Sequence, residues 1–117
     1  MTIEECYAAL EGDYADVEKR LLGESRVRKF AIRFMDDDNF DNLLAAMNSR
    51  NYKKAFDYAH TLKGVSQTLA FTKLSLVAVQ ITEALRNNNI TLAEALLPVL
   101  SNDYKQTVRA ISQLNNF

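Results

Sequence analysis

The chain has 117 residues, the length of one ordinary domain, with enough apolar material at 48% for one core but not for two. A net charge of −1 gives no general attraction to nucleic acid or to an anionic membrane. The single cysteine, Cys6, excludes an internal disulfide and a cysteine-based zinc cluster, and it reads as a reduced, buried thiol. No apolar run is long enough to span a membrane, and Glu4 and Glu5 interrupt any leader, so a cytoplasmic protein is expected.

Thr2–Leu10 and Tyr14–Leu22 read as two short helices, with Gly12 and Gly23 as their terminators. Ser25 can cap a third helix reaching about Asp36, with Val27, Phe30, Ala31 and Phe34 as its buried stripe. Asp36–Asp38 end it, because carboxylates are unfavourable at a helix C-terminus, and Asp37 or Asp38 caps the next helix. That helix carries Phe40, Leu43, Leu44 and Met47 to about Arg50. Asn51 caps a helix that closes near Ala70 or Phe71, and Thr72 caps its successor, striped by Leu74, Val77, Ala78, Ile81 and Leu85. Asn87–Asn89 form a turn, and Thr91 with Glu94 match a capping box for the last helix. Its stripe is Leu92, Leu96, Val99, Leu100, Tyr104, Val108, Ile111 and Leu114, and Pro98 should kink or divide it. The sum is one all-α domain over 1–117, an antiparallel four-helix bundle (core about 25–116) with one or two short additional N-terminal helices.

The helix from Asn51 holds the only histidine. At about 100° per residue, Ala55, Tyr58, Ala59, Leu62, Val65, Ser66 and Leu69 share one broad arc, and His60 lies opposite its centre. The arc must be buried, so His60 faces solvent. A neutral imidazole is nucleophilic, and its reference pKa near 6.5 keeps it substantially neutral in the cell. Lys63, one turn on, can pair with phosphoryl oxygens. Gly64 costs about 0.5–1 kcal/mol in a helix interior, tolerable if a side chain there would obstruct what approaches the ring. Gln67 could hydrogen-bond one ring nitrogen. Lys53, Lys54, Lys63 and Lys73 against the single Asp57 make this helix basic. Phe56 and Phe71 flank the histidine outside the apolar arc, which suggests a docking surface with Lys53 at its rim. Leu43 or Leu44 could add to it. Taken singly, each feature has a bland reading: a surface histidine, a weak glycine, a solvated lysine, aromatics tucked under the N-terminal helices. Their coincidence on one face favours a site. One histidine cannot furnish a zinc site or a di-iron bundle, and no glycine-rich loop could cradle a nucleotide.

His60-Thr61-Leu62-Lys63-Gly64, within AHTLKGVSQTL, resembles the signature of histidine-containing phosphotransfer (HPt) domains. The likeness extends over about Ser25–Arg86 through Phe40–Met47, the Asn51–Tyr52 helix start, Leu74, Ala78 and Glu83-Ala84-Leu85, and Tyr14–Gly23 resembles the family's lead-in. It implies a four-helix bundle that relays phosphoryl groups between receiver-domain aspartates, with His60 as carrier, Lys63 beside the phosphoryl group, Gly64 giving clearance and Gln67 orienting the ring. It implies no cofactor of the domain's own, with Mg²⁺ on the partner receiver. Partners would be response-regulator receivers, including those of hybrid histidine kinases, met by a monomer through a modest transient interface. Two positions depart from the pattern: Ala70 replaces a later glycine and should leave the helix better formed, and Thr82 stands where an acidic residue is usual. Competing readings are an interaction module that is never phosphorylated, the phosphoaccepting domain of a chemotaxis-type kinase, and a purely structural bundle. A chain that starts with methionine and ends soon after the bundle favours a free-standing relay protein.

Overall fold

A computed structural model describes residues 1–116, which contain helices and no strand. The order is α1 (Ile3–Leu10), α2 (Tyr14–Leu21), α3 (Glu24–Arg33), a 3₁₀ turn (Phe34–Asp36), α4 (Asn39–Asn48), α5 (Tyr52–Thr68), α6 (Thr72–Arg86), α7 (Ile90–Ser112) and a closing 3₁₀ turn (Gln113–Asn116). Helices α4, α5, α6 and α7 each pack on the next, and α1 and α3 lie against α7. This is the expected helical bundle, with α1 and α2 as the two short N-terminal additions.

Side-chain oxygens start most of these helices by accepting otherwise unpaired amide protons. Thr2 and Glu5 form a reciprocal capping box at α1, with bonds of 3.0 and 2.8 Å. Asp13, Asn51 and Asn89 accept from Asp16, Lys54 and Leu92 at α2, α5 and α7. Asp37 accepts from the Asn39 amide at 2.9 Å ahead of α4. Three expected caps are not used: α3 begins one residue before Ser25, with Gly23 at its cap position; Phe71 precedes α6 in place of Thr72; and Asn89 starts α7 two residues before Thr91. Helix α7 is not divided at Pro98, which is exposed, on a side where water can satisfy the carbonyl left without its amide partner.

The core is built from Leu43, Ala55, Ala59, Leu62, Leu74, Val77, Ala78, Ile81, Leu100 and Ile111, all buried. Polar residues within it bond their own helix: Ser66, Thr82 and Thr107 donate to the carbonyls of Leu62, Ala78 and Asp103. The stripe of α7 turns further than its sequence suggests, since Leu92 and Val99 are 44% and 48% exposed while Ala93, Thr107 and Ala110 face inward. Cys6 is buried, and burial pushes its thiol up to about 11. None of the described helices is long and apolar enough to cross a membrane.

The N-terminal helices are fastened to the end of α5. Its last carbonyls would lack donors within the helix. Arg20 Nη1 donates to those of Gln67 and Thr68 at 2.7 and 2.8 Å, the Tyr7 hydroxyl to Leu69 at 2.7 Å, and the Asp13 amide to Ala70 at 2.9 Å. The Lys73 amide in turn donates to the Glu11 carbonyl, and its ammonium bonds Glu11 and Gln106 and lies 3.9 Å from the buried Asp103. The Lys73 partner holds the Glu11 carboxyl below the usual range, whereas burial raises that of Asp103. Gly12 and Gly23 help close α1 and α2, their amides donating to the Tyr7 and Glu18 carbonyls, but the left-handed residue of each turn is not the glycine. Glu11 and Leu22, each one residue earlier, take the left-handed conformation at φ 59° and 63°. Gly12 permits a close approach, because a Cβ there would stand 2.6 Å from the Ala70 carbonyl oxygen.

Candidate functional site

Helix α5 buries Ala55, Ala59, Leu62 and Ser66 and leaves His60, Thr61, Gly64 and Gln67 exposed, as its periodicity requires. The imidazole is therefore in water, midway along the helix. Lys63 is half-buried one turn on, and Lys53 is exposed near the helix start. Gly64 has open space around it: a Cβ built there meets nothing within 4 Å. Nothing in the packing of the described residues calls for glycine at that position. Its helix-propensity cost has no internal compensation.

Beside this face runs a groove of about 870 Å³ between α5 and the α3 end. Its apolar wall is Phe30, Phe34, Val65 and Leu69; His60, Thr61 and Gly64 line the α5 side; Arg33, Asp36 and Asp37 supply charge. Phe30 is 37% exposed, with the Arg33 guanidinium 5.4 Å from its ring centre. Periodicity alone does not reveal this wall, because Phe30 and Phe34 share the stripe of α3 and both read as core. Only Phe34 is buried.

The other proposed site residues divide. Phe56 is half-buried beside the histidine, its ring stacked on the imidazole at 5.7 Å and 12°. Phe71 is not on the docking face. It is 0% exposed and packs against Tyr7 and Phe34 at 5.6 and 5.2 Å between ring centres. The reason is that α5 stops at Thr68 and Ala70 turns left-handed at φ 54°, so the helical wheel no longer applies at residue 71. The same turn overturns the expectation for Ala70, which sits past the helix end in a conformation that favours glycine. Gln67 is exposed, but its side chain makes no hydrogen bond to the imidazole; its carbonyl serves Arg20. Lys73 belongs to α6 and is held by Glu11, away from the basic face of α5. Leu43 is buried, and Leu44 borders a separate depression with Met47 and Tyr52. Thr82 is wholly buried, so an acidic side chain at that position would have to enter the core.

A lone exposed imidazole can attack an electrophile that docks over it, with an ammonium one turn away and clearance beside it. Among the described residues no group of three or more His, Cys, Asp or Glu could hold a metal ion. The family model described as Hpt domain matches residues 34–114, well over half of the chain. The chain belongs to the Hpt domain family. Hpt domains serve histidine phosphotransfer in two-component signalling as phosphocarriers that meet the receiver domains of response regulators or hybrid kinases. The match begins at Phe34, so α1, α2 and α3, which cap α5 and wall the groove, lie outside it. Neither a curated protein nor a solved structure matches the chain.

Proposed function

We propose that this Hpt domain carries a phosphoryl group on His60 between the aspartates of receiver domains. The observation that supports it most is the exposed imidazole at the side of an apolar groove, next to a glycine whose missing side chain leaves open space. In the uptake step a ring nitrogen of neutral His60 attacks the phosphorus of a receiver's aspartyl phosphate. Its lone pair forms the N–P bond, the P–O bond breaks, and the electron pair leaves on the aspartate carboxylate. Donation to a second receiver reverses these events. Lys63, one turn along the helix, would pair its ammonium with phosphoryl oxygens, while Mg²⁺ and the remaining positive charge come from the receiver. The domain supplies position rather than a nucleotide site, and a carrier that must leave one receiver before meeting the next is best served as a cytoplasmic monomer.

The docking surface is then the groove itself, with Phe30, Val65 and Leu69 as its apolar centre, Phe56, Lys63 and Gln67 around the histidine and Lys53 at the rim. Such a surface suits a short-lived complex with a limited apolar core. Incubation with phosphorylated receivers should place acid-labile, alkali-stable phosphate on His60. The His60→Gln variant should take none while its far-ultraviolet circular dichroism stays unchanged. Phosphate uptake by that variant at the wild-type rate would overturn the assignment.

A further inference from the structure

The transfer step makes a demand on the imidazole that its exposure does not meet. An in-line attack needs the ring nitrogen aimed at phosphorus, yet an unrestrained surface side chain hops between rotamers within nanoseconds. The Gln67 side chain, expected to hold the ring, makes no hydrogen bond to it. What touches it is Phe56, one turn earlier on the same face, nearly parallel at 12° with ring centres 5.7 Å apart.

Phe56 is itself held. The Arg86 guanidinium carbon lies 5.0 Å from the centre of the Phe56 ring, within the range of a cation–π contact. Helices α5 and α6 run antiparallel, so Arg86 at the end of α6 reaches Phe56 from the side of Tyr52 and Lys53, while His60 lies one turn the other way. Arg86 is tethered in turn by Glu83, at 3.2 Å from Nε to Oε1. We propose that Phe56 is a positioning residue that sets the plane of the His60 ring, with Arg86 holding Phe56 in place. The chemistry favours a stack over a hydrogen bond. A hydrogen bond would occupy one nitrogen at the ring edge; a stack uses the ring face and leaves both nitrogens open to phosphorus and to solvent.

The proposal rests on His60 being the phosphoacceptor, and it is tested by measurements that separate the two claims. With one histidine in the chain, its ring protons are identified in NMR spectra without ambiguity. In the unphosphorylated protein they should be displaced upfield by the Phe56 ring current. Phe56→Leu should return them to free-histidine positions, Phe56→Tyr should keep them, and Arg86→Met should move them part of the way. Transfer from a phosphorylated receiver should fall roughly two- to tenfold in Phe56→Leu, the range that loss of an aromatic contact gives, and recover in Phe56→Tyr. Arg86→Met should lower the maximal rate while leaving the half-saturating receiver concentration unchanged, which a mere docking role would raise. Ring-proton positions unchanged in Phe56→Leu would overturn the stack, and positions that move with no change in maximal rate would overturn its role in transfer. Wild-type protein that takes phosphate neither from receivers nor from phosphoramidate would instead overturn the carrier reading, whatever the ring protons show.

Discussion

The middle of α5 and its C-terminal end treat their surroundings in opposite ways. Around His60 the helix leaves a polar ring edge, an apolar groove and the bare backbone of Gly64 open. From Gln67 to Ala70 each carbonyl takes a hydrogen bond from α1, α2 or the turn between them, and Phe71 is sealed among aromatic rings. The contrast shows how a small bundle can expose a reactive side chain without loosening: the helix that presents it is anchored at the end next to it. It also means that additions of side-chain volume should have opposite consequences in the two places.

The largest effect should come from breaking the closed end. Phe71→Ala removes a wholly buried ring that joins Tyr7 to Phe34, and Phe34 in turn meets Tyr104. A loss of about 3–5 kcal/mol in urea unfolding is expected. A loss below about 1 kcal/mol would show that the aromatic cluster does not seal this end. Gly12→Ala should follow at about 1–3 kcal/mol, because the new methyl group meets the Ala70 carbonyl and the side chains of Tyr7 and Leu10, and the backbone must shift. An unchanged unfolding midpoint would mean the α1–α2 turn can move aside freely.

Gly64→Gln is the matching test of the open region. Stability should stay level or rise by about 0.5–1 kcal/mol through better helix propensity, while receiver-to-His60 transfer falls by about tenfold, or 1.4 kcal/mol of activation free energy. Transfer at the wild-type rate would remove the clearance argument, and lower stability would show that position 64 is packed after all.

The sequence made the open region legible because an uninterrupted helix obeys its wheel. From Ala55 to Ser66 the buried and exposed positions alternate as a 3.6-residue period demands, with His60 and Gly64 exposed and Lys63 half-buried beside them. Legibility failed where the chain stops being helical or where two elements far apart in sequence meet. Phe71 lies beyond Thr68, where the helical rotation ends. The far wall of the groove comes from α3, about thirty residues before His60, and Phe30 lies at the edge of a stripe whose outer members can fall on either side of the surface. Arg86 is out of reach for the same reason, since only the pairing of α5 with α6 brings it to Phe56.

The smallest effect sharpens the comparison from the other side of the contact that Gly12 makes. Ala70 holds a left-handed backbone at φ 54°, where a Cβ costs about 1–2 kcal/mol relative to glycine. Its methyl group is nearly buried, so removing it forfeits a little packing, and glycine adds freedom to the unfolded chain. The balance should leave Ala70→Gly more stable by about 0.5–1 kcal/mol, measured by urea unfolding, with transfer through His60 unchanged. Gly12→Ala and Ala70→Gly would then move stability in opposite directions although the two residues face each other across one hydrogen-bonded turn, because one change fills a contact already closed and the other relieves a backbone already strained. If Ala70→Gly proves destabilising, the alanine is retained for its packing under α1, and its conformation is carried at less cost than the left-handed angle implies.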